Sequence, residues 1–439
     1  MKKYDSYKDS GIEWIGEIPE HWEVKPFKHL VICNSEALTE KTNPEMEINY
    51  IEIGDVNSFD GIKETSKYTF EKAPSRARRI VREGDVIIST VRTYLKAITS
   101  ISSKFDGFIA STGFAVLTPK LIHSGFLGNI ALCEGLIGEI ISLSKGVSYP
   151  SITSQDLTNI SIPFPSKNEQ TAIANYLDHK TTQIDTLITK KEQFISLLQE
   201  ERTAVINQAV TKGLDPKVKM KDSGIEWLGE IPEHWEVKRM KYVIKTPLKY
   251  GANESAEDEI LEDPRYIRIT DFGNDGKLRK NTFKSLSLDK AENFLLEEGD
   301  ILFARSGATV GKTFFFKDYK GVACFAGYLI KASCDPMIMK SEFLYEFTNS
   351  SGYENWKQSI FQQSTIQNIG ADKYNQLKIG VPPIAEQQKI IDFITSKINE
   401  IDTIISKSQQ EIELLKEYKT ALISEVVTGK VDVRDVILN

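Results

Sequence analysis

No stretch of this 439-residue chain approaches the roughly 18 consecutive apolar residues of a membrane-spanning helix, so the sequence predicts no membrane segment. Its opening, MKKYDSYKDSGIEW, is polar and lacks the apolar region of a secretory leader. Cysteine is scarce. Cys33, Cys133, Cys324 and Cys334 form no C-x-x-C pair and have no metal-site spacing, which predicts reduced, mostly buried thiols in a cytoplasmic protein. Five histidines are scattered and predict no metal cluster. Catalytic signatures are missing too. There is no H-E-x-x-H, no G-x-S-x-G, no kinase set and no Rossmann glycine pattern. The Asp/Asn-Pro-Pro-aromatic tetrapeptide and the glycine-rich loop of an S-adenosylmethionine-dependent amino-methyltransferase are also absent. Carboxylates are many but spread over helices and turns, where solvated charge is the ordinary reading.

What the chain does have is repetition. Asp9 to Lys25 reads DSGIEWIGEIPEHWEVK and Asp222 to Lys238 reads DSGIEWLGEIPEHWEVK, differing only at Ile15/Leu228. A second repeat opens EQTAIANYLDHKTTQID at Glu169 and EQQKIIDFITSKINEID at Glu386. Copies roughly 215 residues apart mean duplicated domains, since solenoid repeats have periods of about 20–50. Such a chain resembles a homodimer made covalent and suits a pseudo-symmetric target, of which duplex DNA is the commonest. The order A–B–A′–B′ divides it at 1–165, 166–212, 213–383 and 384–439. The 40% hydrophobic content is enough for real cores.

The A segments read as α+β domains without βαβ regularity. INYIEIGDV (48–56) matches PRYIRITDF (264–272) as a strand ending in an acidic turn. REGDVIISTVR (82–92) matches EEGDILFARSG (297–307) as a Gly-Asp turn and an apolar strand. KGVSYPSITSQDLTNISIPFP (145–165) and QQSTIQNIGADKYNQLKIGVPP (362–383) each read as a polar loop, a short helix and a final strand. Trp14, Trp22, Trp227 and Trp235 are expected to bury as a docking element. His21 and His234 lack a nearby nucleophile or base.

The B segments carry heptads. Leu177, Ile184, Ile188, Ile195, Leu198, Val205 and Ala209 mark the first, with Thr181, Lys191 and Arg202 as polar interruptions. Ile394, Ile398, Ile401, Ile405, Ile412, Leu415, Leu422 and Val426 mark the second, with Ser408 and Lys419 interrupting. Heptads sustained over some 35 residues predict long helices that pair as an antiparallel coiled coil, with one globular domain at each end. The polar seam positions either fix register or face a partner.

The net charge of −7 argues against a simple nucleic-acid binder, yet Lys63 to Lys104 holds ten Lys/Arg against four Asp/Glu, +6 locally. SGATVGKT (306–313) looks like a phosphate loop, but Ser306 stands where the first glycine should be and Gly307 leaves too short a spacer. Small residues beside Arg305 and Lys312 suit a DNA backbone or base edge instead. STVRTYLKA (89–97) is the counterpart in the first half, with hydroxyls from Ser89, Thr90 and Thr93. Candidate DNA contacts are therefore Arg76, Arg78, Ser89, Thr90, Arg92, Tyr94, Lys96, Lys145, Ser148 and Tyr149 in the first half. In the second they are Arg305, Ser306, Gly307, Thr309, Lys312, Gln363, Ser364 and Gln367.

With these residues in view the chain resembles the specificity subunit of type I restriction–modification systems over essentially its whole length. The resemblance rests on GIEW[IL]GEIPEHWEVK, on GD[VI][IL][IF] followed by SGATVGK, and on a proline shortly before Glu-Gln and a long helix (Pro165 to Gln170, Pro383 to Gln387). STVRTYLK departs from the family's usual loop, which implies that the two domains read different parts of a target. The resemblance further implies a non-catalytic prokaryotic subunit with two target-recognition domains on double-stranded DNA. Its helices would set the gap in a bipartite asymmetric site and dock two adenine-methyltransferase subunits. S-adenosylmethionine, ATP and Mg would sit in partner subunits, restriction subunits among them. A coiled-coil adaptor that never touches DNA and a nucleotide hydrolase using SGATVGKT are the alternatives.

Overall fold

The computed structural model describes residues 2–256, 259–273, 276–307, 309–361 and 368–437. The chain forms two compact units, Met1–Glu192 with Gln409–Asn439, and Gln193–Ser408.

In the first unit a hairpin of Tyr7–Asp9 and Glu17–Pro19 leads to the strand Glu23–Pro26, which pairs antiparallel with Ser161–Phe164. The residues between them build two four-stranded sheets. One runs Ile98–Ser100, Val86–Ser89, Phe114–Pro119, Val31–Cys33, antiparallel throughout. The other runs Ser66–Thr69, Glu47–Ile51, Ile109–Ser111, Ala77–Ile80, with Ile109 and Ala110 parallel to Tyr50 and Ile51. Ile51, Ala110, Ile87 and Val116 join both sheets in one buried cluster.

The second unit repeats the plan. Met220–Asp222 pairs with Glu230–Pro232, and Glu236–Arg239 pairs with Lys378–Val381. The main sheet runs Lys249–Tyr250, Leu329–Ala332, Ile301–Ala304, Thr313–Phe315, and Arg265–Ile267 lies parallel to Ala323–Phe325. Each parallel pair is reached through other strands rather than through one crossover helix, so the class is α+β. The strands Val86–Ser89 and Ile301–Ala304 are buried at every position, as continuous apolar runs in central strands require. The Gly-Asp turn before each has a physical cause. Gly84 (φ 85) and Gly299 (φ 92) take the left-handed conformation, and Asp85 and Asp300 accept the Arg82 and Glu297 N–H groups at 2.8 Å.

The two sequence repeats meet in each unit. Trp22, fully buried, donates Nε1–H to Glu169 Oε1 at 3.2 Å, and His21 Nε2 lies 2.8 Å from the same oxygen. Trp235 reaches Glu386 Oε1 at 3.1 Å, and His234 lies 2.7 Å from Oε2. The neighbouring glutamine completes the knot. Gln170 accepts the His123 N–H at 2.8 Å and donates to the Pro165 carbonyl at 2.9 Å; Gln387 does the same with Lys340 and Pro382. Trp22 and Trp235 are buried as expected, whereas Trp14 and Trp227 are only half-buried. The histidines position a carboxylate. Cys133, Cys324 and Cys334 are buried free thiols and Cys33 is half-buried, and burial pushes the Cys324 thiol up to about 12.

The long helices span Lys167–Lys212 and Ile384–Val427, 46 and 44 residues. In the first unit Asp185 meets Lys419 at 2.7 Å and Lys191 meets Glu411, so the chains run antiparallel. In the second, Arg202 stands 3.9 Å from Asp402 across the two helices. Leu177, Ile184, Ile188, Leu198, Ile394, Ile401 and Ile412 are buried; Ile195, Ile398, Ile405 and Leu415 are partly so. The interrupting Lys191, Arg202 and Lys419 each find a carboxylate on the opposite helix, which favours the register role over a partner-facing one. In the aligned repeats Arg202 corresponds to Lys419 and Asp185 to Asp402, so two of the three bridges are copies of one another. Gly213 (φ 74) and Gly429 (φ 76) end the helices in the left-handed conformation. A Cβ on Gly429 would lie 2.4 Å from Pro19 Cδ and 3.1 Å from the Trp22 ring.

Among the described residues no single helix is long and apolar enough to cross a membrane. The bent pair Ser124–Ala131 and Glu134–Leu143 has the composition, but its Leu127, Ile130, Leu136 and Ile137 are buried.

Burial drives the Glu169 carboxyl upward, but hydrogen bonds from His21, Ser166 and Trp22 outweigh this and hold it below the usual glutamate range. Its stabilisation is therefore complete above about pH 4.3 and fades as pH falls through the lower folded value. Glu169→Gln is expected to cost about 1–3 kcal/mol at neutral pH. Urea unfolding followed by tryptophan fluorescence should show a gap from the parent at pH 7 that narrows below about pH 4; a gap that widens on acidification would contradict the assignment. For the helices, Lys419→Glu sets two carboxylates together and should lower stability by about 1 kcal/mol or more, while adding Asp185→Lys should recover most of it. Thermal melts of the four chains test this through the coupling term, and additive losses would rule the bridge out.

Candidate nucleic-acid interface

The two loops singled out in the sequence occupy one structural position. Thr90–Lys96 joins the paired strands Val86–Ser89 and Ile98–Ser100, and Arg305–Lys312 joins Ile301–Ala304 to Thr313–Phe315. Counting from the Gly-Asp turn, Arg92 corresponds to Gly307. Both are left-handed, at φ 50 and φ 89. Glycine meets that demand freely, whereas arginine adopts it at a cost of about 1–2 kcal/mol. Lys96 is left-handed as well, at φ 51, so the short 3-10 turn Thr93–Leu95 is bracketed by two strained residues.

A second segment docks against each loop. In the first unit Lys145 and Ser151 exchange backbone hydrogen bonds of 2.8 and 2.9 Å and close the loop that carries Ser148 and Tyr149. That loop is stitched to the first: Arg92 N–H donates to the Pro150 carbonyl at 2.7 Å and Ile152 N–H to the Thr90 carbonyl at 2.9 Å. In the second unit Ile369 N–H donates to the Arg305 carbonyl at 2.8 Å, and Ser306 bridges to Asn368. Gln363, Ser364 and Gln367 lie outside the described residues.

The structure thus brings Arg92, Tyr94, Lys96, Lys145, Ser148 and Tyr149 together. The Arg92 guanidinium lies 4.6 Å from the Tyr149 ring centre. Tyr94, Leu95, Val147 and Tyr149 are all exposed. Lys96 is already tied to Glu134 at 2.9 Å. The hydroxyls expected beside Arg92 are turned inward instead. Ser89 donates to the Val91 carbonyl at 2.6 Å, Thr90 to the Gly113 carbonyl at 2.9 Å, and Thr93 pairs with Ser144 at 2.8 Å. They are buried because a tight turn must satisfy its own backbone, so they brace the loop.

Arg76 and Arg78 sit apart, on the strand edge at Ala77–Ile80. Arg76 is exposed and Arg78 lies over the Phe70 ring at 4.7 Å. The basic stretch is also weaker than its sequence. Lys63, Arg82 and Lys96 pair with Asp60, Glu36 and Glu134, all drawn from outside it.

In the second unit Arg305 stacks over Tyr250 at 5.0 Å, and its N–H donates to the carbonyl of exposed Tyr328 at 3.0 Å. Neither tyrosine stood out in the sequence, because only the sheet brings them beside Arg305. Gly307 and Thr309 are exposed, Ser306 and Lys312 half-buried. Lys312 and Thr309 edge an open cleft of about 460 Å³, whose other cation, Lys357, is paired with Glu354 at 2.6 Å. The loop runs strand to strand. Without a helix N-terminus after it, SGATVGKT lacks the phosphate cradle of a nucleotide-binding loop, which removes the hydrolase alternative.

Two copies of one α+β domain, each presenting a cationic and aromatic loop pair and each rooted on a long paired helix, define a tandem recognition scaffold. The family model for the type I restriction modification DNA specificity domain matches residues 19–196 and 232–414, and the chain belongs to that family. The type I restriction enzyme EcoKI specificity subunit of Escherichia coli is 24% identical over 94% of this chain and 90% of its own length. The MjaVIII specificity subunit of Methanocaldococcus jannaschii is 26% identical over 67% of each chain. Among solved structures, a chain from work on complex assembly and conformational transition of the type I R-M system aligns at TM-score 0.74 with 19% identity, over 94% of this chain and 99% of that one. The HsdS subunit of Thermoanaerobacter tengcongensis aligns at 0.56 with 20% identity, over 94% and 98%.

Gly307→Ala is expected to lose about 1–2 kcal/mol from backbone conformation alone, since nothing stands within 4 Å of the added Cβ. Thermal denaturation checks it, and an unchanged melting temperature would mean that the turn relaxes.

Proposed function

We propose that this protein is the non-catalytic, sequence-reading subunit of a type I restriction–modification complex in a prokaryotic cytoplasm. The observation that supports it most directly is the repeated site: equivalent hairpin loops, each braced by a second segment, with a stacked arginine in each. Residues 1–165 and 213–383 act as target-recognition domains on double-stranded DNA, each reading one part of a bipartite asymmetric site. Arg92, Tyr94, Lys145, Ser148, Tyr149, Arg305, Gly307, Thr309 and Lys312 make the contacts, with Lys96 released from Glu134 when phosphate competes for it. Arg76 and Arg78 serve the flanking backbone. The helices of 166–212 and 384–439 set the spacing and dock two methyltransferase subunits, which supply S-adenosylmethionine. Restriction subunits supply ATP and Mg chemistry. Positive charge from those partners accounts for a reader of net charge −7.

The experiment is a methylome. The chain is co-expressed with its cognate methyltransferase subunit in a methylation-free host and modified adenines are mapped by single-molecule sequencing. A split motif with a fixed gap is expected, and replacing residues 1–165 by another such domain should change one part only. A soluble complex that modifies no adenine would instead favour the adaptor reading.

A further inference from the structure

Several arginines stand over a ring, but Arg78 also donates to the Ala77 carbonyl, Arg265 to the Arg279 carbonyl and Arg434 to Asp432, whereas Arg92 and Arg305 keep their terminal donors free of such bonds among the described residues. The Arg92 guanidinium rests on Tyr149 and that of Arg305 on Tyr250, each ring coming from a distant part of its domain. Most other arginines with close partners face carboxylates: Arg82 with Glu36, Arg268 with Asp271, Arg434 with Asp432. Among the described residues neither Arg92 nor Arg305 has a carboxylate partner, and neither side chain donates a hydrogen bond. The Tyr250 ring is held by its hydroxyl, which accepts the Ala371 N–H at 2.9 Å, and the Arg92 backbone N–H donates to the carbonyl of Pro150, the residue after Tyr149. The Arg305 Nε is buried with no partner, which leaves its terminal amino groups to meet a ligand.

A guanidinium stacked on a ring keeps its donors in one plane, pointing along its edge. It has lost rotamer freedom before binding. The ligand that matches such a fork on a DNA edge is guanine, whose O6 and N7 accept two parallel hydrogen bonds in the major groove. A bare phosphate contact needs no such shelf, and a mobile lysine serves it equally well. We infer that Arg92 and Arg305 each read one guanine, in separate parts of the target, with Tyr149 and Tyr250 as positioning residues. The inference rests on the reading of this chain as a DNA-sequence reader and adds the base and the residue.

The test uses the complex with its methyltransferase subunit. Each part of the mapped motif should contain a G·C pair. Arg92→Gln should relax one G·C position in one part, and Arg305→Gln one position in the other, with discrimination falling about tenfold to a hundredfold. Tyr149→Leu should blur the position that Arg92→Gln blurs, while Tyr149→Phe keeps it. To avoid dependence on variants that fold poorly, the unaltered complex is also bound to DNA carrying 7-deazaguanine, which lacks N7, at each guanine in turn. One sensitive guanine per part is expected. A part without G·C, indifference to every 7-deazaguanine, or an equal loss on all sequences overturns the inference while methylation at a split motif leaves the underlying reading standing. A wild-type complex that methylates nothing sinks both.

Discussion

A carboxylate at the head of each long helix holds the structure together. Glu169 is buried, and a buried carboxylate is tolerable only where donors surround it. Trp22 and His21 provide them from the opening repeat, and Ser166 adds its hydroxyl at 2.8 Å. The need is mutual, because a fully buried indole N–H also requires an acceptor. Gln170 extends the junction to the domain's closing strand and to the helix that begins at Ser124. Three elements far apart in sequence are thereby fixed by one dipeptide. The second unit repeats the arrangement through Glu386 and Gln387.

That junction explains why the two repeats are the most similar parts of the halves while the segments between them diverge. Each domain is pinned at its ends, by Glu23–Pro26 on Ser161–Phe164 and by Glu236–Arg239 on Lys378–Val381. What lies between can change so long as both ends return to the same place. The reading loops show how far the change goes. Arg92 and Gly307 share a backbone conformation and differ in everything else.

Much of this was legible from residue order because its causes are local. Heptads predict helices, and the polar residues that break them mark the cross-helix ion pairs. Gly-Asp predicts the turn before each central strand. What was not legible depends on contacts between distant segments. Ser89, Thr90 and Thr93 read as hydroxyls on offer until the turn consumes them. Tyr149 was a candidate only by its loop, and Tyr250 had no local mark. A +6 segment loses part of its charge to Asp60, Glu36 and Glu134, which lie outside it, two of them far along the chain.

The third helix bridge differs from the other two. Lys191 meets Glu411, but their counterparts in the aligned repeats are Ser408 and Phe194. A first helix paired with another first helix would set Lys191 against Phe194, and a second with a second would set Ser408 against Glu411. Only the mixed pairing completes the bridge. A contact of this kind is worth at most about 1 kcal/mol at the surface. That is enough to tilt a first helix toward a second helix as its partner and away from another first helix.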